Sequence, residues 1–249
     1  MSDDDLPWLD ANNECADFPH PEQALKDPDG LLAVGGDLST TRILNAYKNG
    51  IFPWYSAGQP ILWWSPNPRG VLWPRDFIVH KSLKRLINKG WKVTYDQDFE
   101  AVIRACAEPR ADNNGTWVTE DMIQAYCELH QLGFAHSIEV WHVDKLVGGV
   151  YGIAVGKLFA GESMFSHQTG GSKIALLYLA AYLDSWDYAL IDTQLPTEHL
   201  SSLGGCSIPR ADYLSLVEAN CNQPVAEQAW RAGQDVNIKQ WLCSQSSQA

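Results

Sequence analysis

Between Lys92 and Phe165 the chain alternates apolar and polar positions in a way that predicts strands, broken by two runs with helical spacing. The strands are predicted at Lys92–Tyr95, Ser137–Trp141, Leu146–Val155 and Leu158–Phe165, and the helices at Phe99–Ala107 and Asp121–Leu132. Only Val143-Asp144-Lys145 and Gly156-Lys157 separate the last three strands, and gaps that short leave no room for a crossover. An antiparallel meander follows. A helix Ser172–Trp186, a strand Ala189–Thr193, a short helix Glu198–Leu203 and a last strand and helix ending at Asn220 complete the order, which describes an α+β domain built on one mainly antiparallel sheet.

Upstream, Leu31–Gly36, a Gly35-Gly36-Asp37 turn and a helix Thr40–Asn49 capped by Ser39 and stopped by Gly50 predict a small amino-terminal α/β unit. The expected division is residues 1–66 for this unit and 67–249 for the larger domain. Across the junction runs GIFPWYSAGQPILWWSPNPRG, where prolines 53, 60, 66 and 68 fix φ and remove backbone donors among Trp54, Trp63 and Trp64. The expectation is a rigid folded loop whose rings either pack a core or wall a pocket for an apolar group. The polar tail from Ser244 to Ala249 is expected to be mobile.

Charge adds a second theme. The chain carries a net −12, yet Arg69, Arg75, Lys81, Lys84, Arg85, Lys89 and Lys92 face a single acid, Asp76, within one stretch. That segment is +6 and the remainder −18. Lys81, Lys84, Arg85 and Lys89 share one side of a helix, a ridge suited to phosphates, although many such runs are only solvated faces. Six cysteines without a CxxC pair or zinc spacing suit a reducing cytoplasm, and the acidic start MSDDDLPWLD together with the lack of a long apolar run suggests neither leader nor membrane span.

Several strings occur in order: LLAVGGDLS, the tryptophan segment with WWSPNPRG, GTWV at 115–118, AHSIEVW, LVGGVYGIAVGKLFAGESMFS, LIDTQ at 190–194 and HLSSLGGCSIPR. Over Phe18–Tyr213 they resemble the leucyl/phenylalanyl-tRNA–protein transferase family, and the element order resembles a GNAT-type acyltransferase fold. The resemblance implies transfer of leucine or phenylalanine, with methionine a further candidate, from tRNA to proteins beginning with arginine or lysine, marking them for degradation. It implies no cofactor, metal or membrane. Gln168-Thr169-Gly170-Gly171-Ser172-Lys173 lacks the glycine-rich pattern of a pyrophosphate loop, which speaks against the rival reading of a CoA-dependent N-acyltransferase. The other rival is a non-catalytic RNA-binding module.

By the same resemblance, the donor side chain is expected among Trp54, Trp117, Phe159, Met164 and Ile191, with Val150, Leu179 and Leu183 lining further positions. Asp192 and Gln194, two apart on a strand, are the expected catalytic pair, and Glu162 is the second acid, orienting the incoming amine or reading the acceptor residue. Arg75, Lys81, Lys84, Arg85 and Lys89 are expected to hold the tRNA acceptor stem. Ser163, Ser166 and His167 invite a nucleophile-and-base reading, but an aminoacyl ester is already activated and needs no acyl-enzyme.

Overall fold

The computed structural model describes residues 6–109, 118–231 and 236–246. Its elements are β1 (Trp8–Leu9), β2 (Leu31–Gly35), α1 (Thr40–Lys48), β3 (Phe52–Pro53), β4 (Leu62–Trp64), β5 (Arg69–Leu72), α2 (Lys81–Ile87), β6 (Lys92–Tyr95), α3 (Phe99–Ala107) and α4 (Glu120–Gln131). There follow β7 (Ala135–His142), β8 (Lys145–Val155), β9 (Leu158–Ser166), α5 (Gly171–Ser185), β10 (Leu190–Gln194), α6 (Glu198–Ser202), β11 (Cys206–Ile208), α7 (Arg210–Asn220) and α8 (Ile238–Ser246). Side-chain caps start several helices where the sequence predicts them: Ser39, Asp98 and Thr119 each accept a bond from a first-turn backbone N–H. Among the described residues no helix is long and apolar enough to cross a membrane.

The strands form two sheets, a four-stranded one in the order β1-β2-β4-β3 and a seven-stranded one in the order β11-β5-β10-β9-β8-β7-β6. The predicted meander is present as β7-β8-β9, and in the larger sheet only β9 and β10 run parallel, joined through α5. Helices cover both faces. Tyr151, Ile153 and Val155 of β8 point toward α3 and α4, whereas Val150 and Ala154 point toward α5, so alternation along one strand feeds two cores. The architecture is α+β, with a mixed sheet in the larger part.

Two expectations are corrected here. The tryptophan segment is not a loop throughout: β3 and β4 pair antiparallel, and Trp63 is wholly buried with its indole N–H donated to the Gly35 carbonyl. The carboxy-terminal tail is helical in α8 as far as Ser246, where Trp241 donates to Asp184; residues 247–249 lie outside the described residues.

Helix α5 sits against β8 at a point where only glycine fits. A Cβ on Gly148 would lie 2.5 Å from the Gly171 backbone. This contact sets the height of α5, and with it Leu176 and Leu179, over the sheet. Gly148→Ala is expected to lower stability by about 1–3 kcal/mol through overpacking, read as an earlier unfolding midpoint; an unchanged midpoint would show that the helix rides freely.

Candidate active site

Strands β9 and β10 are paired only as far as Ala160 and Asp192, yet both continue beyond that point. The opening between them holds a cavity of about 110 Å³ lined by Val150, Gly161, Glu162, Ser163, Met164, Leu176, Leu179, Ile191, Thr193, Gln194 and Leu200. Both strands are irregular at this level. Against β8, Gly161 pairs with Gly152 and Ser163 with Tyr151, which leaves Glu162 as an extra residue. Against β5, Asp192 pairs with Val71 and Gln194 with Gly70, which leaves Thr193 extra, and Gln194 has a φ of +62°. Bulges of this kind re-aim side chains, and here two lie side by side.

Asp192 is buried and saturated. Arg69 donates to it twice, Nε to Oδ1 at 2.8 Å and Nη2 to Oδ2 at 2.6 Å. The Tyr213 hydroxyl adds a bond to Oδ2 at 2.8 Å, and the Gln194 backbone N–H one to Oδ1 at 2.9 Å. The guanidinium lies between the rings of Phe52 and Tyr213, 4.7 and 4.4 Å from their centroids, and donates to the Gly50 carbonyl. Burial works against the charge on Arg69, but the carboxylate beside it raises its pKa further above the ordinary range. The bulge corrects the simple strand expectation: Asp192 reaches Gln194 through the backbone, and the Gln194 amide turns to Glu162 instead.

Glu162 is the other pole. Oε1 accepts from the Tyr47 hydroxyl at 2.7 Å and from Gln194 Nε2 at 2.8 Å, and Oε2 pairs with the Tyr126 hydroxyl at 3.0 Å. The two tyrosine oxygens are themselves 2.8 Å apart. Three oxygen contacts thus close a ring, and the two phenolic protons can fill only two of them; a protonated Glu162 supplies the third. Burial independently pushes the Glu162 carboxyl up to about 7, against the opposing pull of the tyrosine bonds.

The remaining expected residues are distributed as follows. Val150, Met164, Leu179 and Ile191 line the cavity; Phe159 and Leu183 are fully buried in the same core cluster and are not among the lining residues. Trp54 directly follows β3, 40 % exposed, its ring 5.7 Å from Trp64, and is not among the lining residues. Trp117 falls outside the described residues. Lys81, Lys84, Arg85 and Lys89 are exposed, though α2 ends at Ile87, so Lys89 follows the helix rather than belonging to it. Arg75 is largely exposed and 3.4 Å from Asp184. Arg69 does not belong to the ridge, because its charge is spent on Asp192. Ser166 donates to the Gln168 carbonyl and His167 pairs with Glu108, so these two do not meet.

Residues 71–218 match the family described as leucyl/phenylalanyl-tRNA protein transferase, and residues 36–67 match its N-terminal domain. A leucyl/phenylalanyl-tRNA–protein transferase of Hahella chejuensis is 54 % identical over 86 % of this chain and 90 % of its own length. The chain belongs to this family. Others of the same description, from Azotobacter vinelandii at 55 % identity over 83 % of this chain and 92 % of theirs, and from Pseudomonas syringae pv. syringae at 50 % over 88 % and 95 %, are similarly close.

The family resemblance points to the acids and the amide but not to Arg69, Tyr47, Tyr126 or Tyr213. Tyr47 and Tyr126 come from α1 and α4, far apart in sequence, and their only local signal is an apolar helical face ending in a hydroxyl. Another group outside the expected set is Asp96, His130 and His136, whose ligating atoms lie within 4.8 Å of one another. Hydrogen bonds already occupy it, His130 Nδ1 to the Ala135 carbonyl and His136 Nδ1 to Asp96. At the site itself, Asp192→Ala strands a buried guanidinium, at a cost of about 3–5 kcal/mol. The melting temperature should fall by roughly 10 °C; an unaltered melt would refute the clamp.

Proposed function

We propose that this chain transfers leucine or phenylalanine from its tRNA to the N-terminal amine of a protein beginning with arginine or lysine, in the cleft between β9 and β10. The observation that carries the reading is one small apolar cavity whose rim holds a buried carboxylate near neutrality and an amide bonded to it. The apolar part, Val150, Met164, Leu179 and Ile191, accepts the donor side chain, and Met164 adapts to either shape. The rim faces the ester.

Aminolysis of an ester requires an amine held at the carbonyl and a site for its proton. We assign the proton to Glu162: as the amine nitrogen bonds to the carbonyl carbon and the acyl C–O bond to the tRNA breaks, the carboxylate takes the amine's proton and passes it to the departing ribose oxygen. Asp192 has four donors on two oxygens and is a positioning group, holding the Gln194 backbone so that its amide carbonyl is free to orient the amine. This assignment departs from a direct Asp192–Gln194 relay, and what supports it is the bond from Gln194 Nε2 to Glu162. The GNAT-like reading of the larger part, and a boundary near residue 66, draw support from the lone parallel pair opening at the site and from the first sheet ending at Trp64 before β5 begins at Arg69.

Below about pH 7 Glu162 is protonated and cannot take a proton; above it, it can, while the acceptor amine loses its own proton near 8. Transfer of labelled leucine from tRNA to an arginine-initial peptide should therefore rise in kcat/KM from pH 6 to 8, on the order of these two pKa values. Glu162→Gln should lose about a hundredfold and leave only the amine's limb. A variant with full activity would overturn the assignment, and a wild type that modifies alanine-initial peptides equally well would overturn the acceptor reading.

The ridge of α2 is the proposed tRNA anchor. Lys84→Ala with Arg85→Ala should weaken tRNA binding and reduce the slope of log affinity against log salt by about 2, one for each phosphate that is no longer neutralised. An unchanged slope would remove the ridge from the interface.

A further inference from the structure

The family match ends at residue 218, yet the chain continues, and the ring of Trp230 from this continuation lies 5.8 Å from that of Phe159, the in-register neighbour of the cavity-lining Ile191. Its backbone φ is +62°, unfavourable for a bulky residue, so the surrounding contacts must hold it there. They are numerous. The Trp230 backbone N–H donates to the Tyr182 hydroxyl at 2.5 Å and its indole N–H to the Tyr188 hydroxyl at 2.9 Å. Its ring stacks on His136 at 4.1 Å and 9°, and His136 is fixed in turn by Asp96. The same indole lies 4.6 Å from the Tyr182 ring and 5.8 Å from that of Phe159, nearly parallel to the latter.

Phe159 connects this stack to the site. It is 1 % exposed and pairs in register with Ile191, which lines the cavity. Toward β8 its ring has no room, because a Cβ on Gly152 would come 2.5 Å from its Cε1. Trp230 closes a further side. Beyond Trp230 is a second cavity of about 480 Å³, lined also by His136, Ala154 and Tyr188, into which a released ring could relax.

We infer that Trp230 is a positioning residue for donor choice, fixing Phe159 from behind and so limiting the depth of the pocket that takes the leucine or phenylalanine side chain. This rests on the proposed function. The direction follows from size: the cavity of about 110 Å³ is smaller than the apolar cavity of about 150 Å³ known to accept benzene, so loosening its back wall favours the phenyl group over the isobutyl.

The test is kcat/KM with leucyl-tRNA and with phenylalanyl-tRNA at one arginine-initial peptide. Trp230→Ala should raise the phenylalanine-to-leucine ratio about tenfold, the low end of what a methylene's worth of pocket space can discriminate. Trp230→Phe, which keeps a ring against Phe159, should hold the ratio near wild type. A purely structural role would lower both donors together, so an unchanged ratio in Trp230→Ala overturns the inference. Should that variant fail to fold, Trp230→Leu is read on the same ratio, where a partial rise is expected and no rise is decisive against it. A wild type inactive with both donors would defeat the proposed function itself, whereas an active one with an unmoved ratio defeats only the role of Trp230.

Discussion

The pairing of Arg69 with Asp192 is the constraint on which the site's geometry depends. A guanidinium and a carboxylate removed from water are each costly, and the cost is offset only when every donor and lone pair is used. Here they nearly all are: two parallel bonds join the pair, Tyr213 from α7 and the Gln194 backbone complete the carboxylate, and Gly50 with two flanking rings completes the guanidinium. The pair thereby ties the turn after α1, strands β5 and β10, and helix α7 to one point. Gln194 inherits its position from that knot. Its backbone is pinned to Asp192 at a positive φ, and its amide can then only reach across the opening to Glu162.

The two buried acids are thus divided by environment rather than by type. Asp192 faces a permanent cation; Glu162 faces two phenols and an amide, with no cation bonded to it among the described residues. A carboxylate that receives only neutral donors in a dry place has its pKa raised by burial, as Glu162 does. The closed ring of Tyr47, Tyr126 and Glu162 sharpens the difference, because it is one proton short whenever Glu162 is ionised. Such a group is poised to take a proton from something close by, which is the demand an incoming amine makes.

Local pattern carries much of this fold in the sequence and almost none of the knot. Period-two alternation and short turns are local, and β7, β8 and β9 are legible with boundaries off by a residue or two. Capped helices are equally legible. Arg69 reads as one more base of the +6 stretch, because a charge in a basic stretch looks the same on paper whether it points to water or to an aspartate in a strand far along the chain. The bulges at Glu162 and Thr193 leave no composition signal either, so Asp192 and Gln194 look like neighbours on one face. The tryptophans mislead in a different way: rings and prolines mark a stiff segment, but only tertiary packing decides that Trp63 is core and that Trp54 faces outward.

The basic ridge and the cavity are not independent features, since one helix carries the geometry of both. Leu86 of α2 packs on Gly170, where a Cβ would come within 2.5 Å of its Cδ1, so the ridge is seated directly on the start of α5. From that start α5 runs on to present Leu176 and Leu179 to the cavity, while Gly171 fixes its height against Gly148. A phosphate backbone held on α2 is therefore registered, through two glycine contacts and two turns of helix, to the floor on which an amino-acid side chain would rest. The acidic remainder of the surface repels the same backbone elsewhere. On the proposed reading, a chain with net negative charge holds a polyanion through a basic surface element that is mechanically coupled to the cleft.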